Sequence, residues 1–138
     1  EAPRQSLPGR PPFMSGGVFG VAALPIHAVV PHATSVALAA LLLALIAGVY
    51  FGFAVLARDG GLLIVELAVA LGFAFLALAG LLASQWWIPA AYVLHAGWDL
   101  LHRRAPLSRL VPGWYIPFCV MVDLAAAVGL ATLWLARL

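Results

Sequence analysis

One stretch of the 138-residue chain, His95-Ala96-Gly97-Trp98-Asp99-Leu100-Leu101-His102, sets two imidazoles, a carboxylate and an indole in an otherwise apolar run. At about 3.6 residues per turn, positions i, i+3, i+4 and i+7 share a helix face, so His95, Trp98, Asp99 and His102 form one polar stripe. Imidazole with carboxylate suits zinc, iron or manganese, and the same groups serve as general acids, general bases and proton carriers. Two more carboxylates, Glu66 and Asp123, lie in apolar stretches before and after the stripe.

The elements that must hold these groups are membrane helices. Hydrophobic residues make up 65% of the chain and charged ones 9%, with a mean hydropathy of +1.09. A soluble domain carries about 25% charged residues, and a core of this size cannot hide so much apolar surface. The basic residues are all arginine, and a net charge of +2 is too small and scattered for a nucleic-acid footprint. The single cysteine, Cys119, excludes an intrachain disulfide and a cysteine-based zinc site.

The pattern predicts an all-α integral membrane protein, a four-helix transmembrane bundle over residues 33–138 preceded by an interfacial or re-entrant segment at 18–32. Residues 1–17, rich in proline and arginine, read as a disordered or processed tail. The apolar run from 18 to 30 holds Gly20 and Pro25 and is too short for a core that needs about 20 residues. The four spans run from Ala33 to Leu56, with Thr34 and Ser35 as N-caps; from Leu62 to Ala83; from Trp86 to His102, with Pro89 in its first turn; and from Tyr115 to Leu135. Tyr50, Phe51 and Phe53 on the first span read as packing residues without chemistry. Arg58, Arg103, Arg104 and Arg109 share one side, which the positive-inside rule makes cytoplasmic, so that both termini face away from the cytoplasm.

At about 1.5 Å per residue from the arginine side, Asp99 lies about 5 Å deep, Glu66 about 7 Å, His95 about 11 Å and Asp123 about 13 Å. An ionisable group at such depth costs about 2.5–3.5 kcal/mol on insertion scales, so five of them on three helices are expected to satisfy one another inside the bundle. Glu66, His95, Asp99, His102 and Asp123 are accordingly expected to converge on one interior site that holds one or two divalent metal ions, with His102, nearer the mouth, serving a second ion or a water. Two other readings of the residues stand beside it: a proton or ion path, and a structural polar lock in which Asp99 pairs with Arg103 at i+4 and His102 sits at a helix C-terminus.

The run Tyr92 to His102 resembles the signature of a family of small bacterial multi-helix membrane proteins of unknown function, which carry H-x-G-W-D-x-x-H-H in the penultimate helix. The likeness extends to Glu66-Leu67-Ala68 and to Cys119-x-x-x-Asp123. Where the family has a second histidine, this chain has Arg103, which alters the site if that histidine is a ligand. The resemblance implies a shared polar site in a bacterial inner-membrane protein and names no reaction.

Function therefore divides between a membrane metalloprotein acting on a lipid or other apolar substrate, an accessory subunit or homo-oligomer, and a proton-coupled transport component. Small residues such as Ala68, Gly72 and Gly80 permit close helix partners. A bis-histidine haem fits less well, since His95 and His102 share a helix and His27 or His32 would have to supply the second ligand.

Overall fold

The computed structural model describes residues 11–138, and these are all helical or connecting: α1 (Pro12–Val29), α2 (His32–Ala57), α3 (Gly60–Leu82), α4 (Trp87–Leu101), a short 3-10 turn at Leu107–Arg109, and α5 (Tyr115–Leu135). Local chemistry sets the breaks. Pro31 holds Val30 in an extended conformation and ends α1. Arg58, left-handed at φ 55°, closes α2, and the Asp59 carboxylate accepts from Leu62 N at 3.0 Å to cap α3. Pro31 precedes α2 without a side-chain cap, so Thr34 and Ser35 lie inside that helix.

Four helices are long and apolar enough to cross a membrane, α1, α2, α3 and α5, and this set differs from the expected one. The segment read as interfacial is an 18-residue helix that begins at Pro12 and continues through Pro25, so residues 12–17 are helical and not tail; residues 1–10 lie outside the described residues. Conversely, the third expected span is α4, whose 15 residues cover about 22 Å, less than a hydrocarbon core of about 30 Å. Lipid-scale apolarity extends over the outer faces, where Phe19, Ile64, Leu71, Phe75 and Val128 are exposed.

Gly20, which reads as an interruption of this segment, is one of its contact points, together with Gly16. A Cβ on Gly16 would come within 2.2 Å of the Phe118 carbonyl oxygen, and one on Gly20 within 2.8 Å of Ala125 Cβ. Further along, Leu24 fills the space beside Gly129, and Arg137 donates to the carbonyls of Ala28 and Val30. These contacts run in the same order on both helices, so α1 and α5 are parallel. Pro12 therefore lies at the end of the bundle that carries Arg58, Arg103 and Arg104, and Leu138 at the other. Both termini are expected on one side; among the described residues Pro12 and Leu138 stand at opposite ends of the bundle.

Gly16→Ala is expected to destabilise the protein by about 1–3 kcal/mol, because a backbone carbonyl cannot move aside as a side chain can. Gly17→Ala, whose Cβ would meet Met121 Cε at an ordinary 3.6 Å, is the matched control and should be nearly neutral. Unfolding midpoints of the two variants in denaturing detergent check this.

α4 is the central element for function. It packs against both α3 and α5, and its inward face is Ile88, Ala91, Tyr92, His95, Ala96 and Asp99. The loop that follows it folds back so that Leu110 and Val111 pack with Tyr50, Ala54, Leu62 and Ile116, closing the arginine end over the polar interior.

Candidate metal centre

All five expected site residues are buried, none more than 2% exposed: Glu66, His95, Asp99, His102 and Asp123. They gather into two groups. In the deeper one, α4 contributes His95 and, a turn later, Asp99, while α5 contributes Asp123. His95 Nδ1 donates to Asp123 Oδ2 at 2.7 Å and lies 3.6 Å from Asp99 Oδ1. One ligand atom from each of these three residues falls within 4.8 Å of the others.

The second group lies nearer the arginine end. The Trp98 carbonyl can only accept, so His102 Nδ1 carries a proton that it donates there at 3.0 Å. His102 Nε2 stands 2.9 Å from Glu66 Oε1, and the other carboxylate oxygen accepts from Trp98 Nε1 at 3.3 Å. This pair thus holds one proton between imidazole and carboxylate, with every polar atom matched. Glu66 and His102 form a pair of their own, with no hydrogen bond to the His95 group among the described residues.

Tyr50 joins the two groups. Its hydroxyl donates to Asp99 Oδ1 at 2.6 Å, and its ring stacks on His102 with centroids 3.9 Å apart. Tyr50, expected mainly to pack, is thus also a hydrogen-bond donor to Asp99; Phe53 rests edge-on against Tyr115. Tyr50 lies eight residues before Arg58, or about 12 Å from the arginine edge, which is the depth of His95. A buried phenol needs a partner for its hydroxyl, and that shared depth was the signal. Trp98 likewise is a donor to Glu66 as well as a packing residue.

The deeper group is incompletely matched. Asp99 Oδ2 and His95 Nε2 are buried and find no hydrogen-bond partner among the described residues. With Nδ1 donating to Asp123, a neutral His95 keeps a free lone pair on Nε2. Two carboxylates and the His95 imidazole nitrogen that faces them make a set suited to a divalent ion, which on binding would displace the Nδ1 proton and neutralise charge that the apolar surroundings cannot.

The remaining histidines lie at the opposite end. Ser35 Oγ accepts from Trp134 Nε1 at 2.9 Å and stands 2.9 Å from His27 Nδ1, while His32 Nε2 donates to Gln85 Oε1. His27 and His32 thus each have one polar partner away from His95 and His102, and His32 Nδ1, like His95 Nε2, is buried without one among the described residues.

A cavity of about 170 Å³ adjoins the deeper group, bounded by α1, α2, α4 and α5, with His95 and Asp123 in its wall. Its remaining lining is chiefly apolar, including Phe19, Leu42, Ile46 and Val122.

No curated protein and no solved structure matches the chain. Residues 13–135, nearly the whole described bundle including every residue of both polar groups, match the model of a family of unknown function, DUF6010. The chain belongs to the DUF6010 family.

Proposed function

We propose that this is an integral membrane metalloprotein in which His95, Asp99 and Asp123 hold one divalent ion, zinc, iron or manganese, and that the ion acts on an apolar or lipid substrate entering from the bilayer. The observation that carries this reading is the convergence of the three buried side chains, one ligand atom of each within 4.8 Å of the others, with Asp99 Oδ2 left without a partner among the described residues. Three protein ligands leave coordination positions open, which is the arrangement of catalytic rather than structural sites. Such an ion supplies Lewis acidity. Tyr50 then orients Asp99 by its hydroxyl, and the loop packed over the arginine end excludes water.

The location that supports this chemistry best is a bacterial inner membrane, in line with the resemblance of the Tyr92–His102 run. Arg58, Arg103, Arg104 and Arg109 face the cytoplasm under the positive-inside rule. A second reading, a proton path, draws on Tyr50, which touches both the His95 group and the proton-holding His102–Glu66 pair. In that case the two groups exchange protons and no ion is held.

Titration of detergent-solubilised protein with cobalt(II), a spectroscopic stand-in for zinc, separates the two. The metal reading expects visible ligand-field bands that saturate and that disappear in Asp123→Ala. Flat spectra in wild-type protein that binds no zinc would leave the proton path.

A further inference from the structure

We infer that the cavity beside His95 and Asp123 is a binding site for a single hydrocarbon chain of a membrane lipid, laid along α1 and α5 so that a mid-chain segment passes the His95–Asp123 wall. The inference names the substrate class of the proposed site and rests on that reading for its chemistry, while the cavity itself is an independent observation.

Shape comes first. The lining follows one face of each of two parallel helices. On α1 it runs from Phe19 through Ala23 to His27, spaced i, i+4, i+8, and on α5 it takes in Phe118, Val122 and Ala126 at the same four-residue interval. The α1 stretch covers about 12 Å along the axis, and the α5 lining from Tyr115 to Leu130 about 22 Å. An apolar cavity of about 150 Å³ is known to stay dry and accept benzene. A similar volume drawn out along two helices has the form of an extended chain and not of a ring.

Access and chemistry agree with shape. α1 packs along α5 and touches α2 far less, so the seam between α1 and α2, where Ala23 is exposed, is the side on which a chain could slip in from the bilayer. Polar groups stand at set points of the wall, Asp123 of α5 and His95 of α4 midway, His27 toward the far end, and Tyr92, Tyr115 and Cys119 among apolar neighbours, so an occupant would meet chiefly apolar side chains. A polar or compact ligand would leave hydrogen-bonding groups unmatched against Leu42, Ile46 and Val122.

The test uses the full chain in phosphatidylcholine vesicles containing a trace of a long-chain fatty acid with a mid-chain diazirine. Illumination is expected to label α1 and α5 at Ala23, Val122 or Ala126, and the label should saturate when unlabelled fatty acid is added. Ala126→Phe should lower that label about tenfold by filling the cavity; Ala23→Phe, at the exposed seam, should do the same should Ala126→Phe fail to fold. Labelling that does not saturate, that matches the outward residues Ile64 and Phe75, or that is unchanged in the folded variants would overturn the inference. Metal content is read on the same samples. Saturable label in protein without metal supports the chain site and counts against the metal reading alone; stoichiometric metal without saturable label counts against the chain site alone.

Discussion

Glu66→Ala is expected to cost about 3–5 kcal/mol of stability, because it leaves a buried imidazole with its charge partner removed. His102 is fully buried, its Nδ1 is committed to the Trp98 carbonyl, and Glu66 is the carboxylate facing its Nε2 at 2.9 Å. Trp98 Nε1 loses its acceptor in the same substitution. Replacing both partners, Glu66→Leu with His102→Leu, removes the uncompensated charge and should recover most of the loss, since apolar replacements of buried ion pairs are often neutral or better. A double-mutant cycle on detergent unfolding midpoints measures the coupling. Equal effects of single and double substitution would mean that the pair is not an ionic unit. Where Glu66→Ala still folds, metal content should be unchanged, because Glu66 lies outside the His95 group.

The second large effect is expected at Tyr50. Tyr50→Phe keeps the ring stacked on His102 and removes only the hydroxyl that donates to Asp99 Oδ1 at 2.6 Å. Loss of a hydrogen bond that orients a ligating carboxylate lowers metal affinity by about 10–100-fold, and loss of a bond to a charged group costs about 1.5–3 kcal/mol in stability. Competition with a chelating dye reads the affinity. A variant that binds metal as tightly as the wild type would show that Asp99 needs no help from Tyr50. Phe53→Leu, which touches Tyr115 and not the polar groups, should leave affinity unaltered.

Much of the candidate site was legible because polar residues in an apolar chain carry their own depth. Spacing put His95 and Asp99 on one face of α4, and the rise per residue put Asp123 level with His95. The same arithmetic contained the division into two groups: His102 lies seven residues beyond His95, about 10 Å along the axis, so one small site could not take in both. Glu66, nearer the arginine edge than Asp123, meets the outer histidine. The place of His102 nearer the mouth, with a role apart from His95 and Asp99, follows from that spacing; the pairing of Glu66 with it does not, because rotation of α3 is set by packing.

α1 was harder to read, for a physical reason. Gly16, Gly20 and Pro25 have low helix propensity and mark a boundary in an isolated segment. The use of the two glycines lies in a partner about 100 residues away, where only a missing side chain lets α1 approach the α5 backbone. Rotation about a helix axis is likewise set by packing, so sequence could give the depth of Tyr50 but not the neighbour its hydroxyl would find.

The most direct measurement is elemental analysis of wild-type, His95→Ala and Asp99→Ala protein purified without chelator from cells grown with zinc, iron and manganese. The account predicts about one divalent ion per wild-type chain and a loss of that ion in both variants. Wild-type protein that is folded and carries no more metal than the two variants would contradict it.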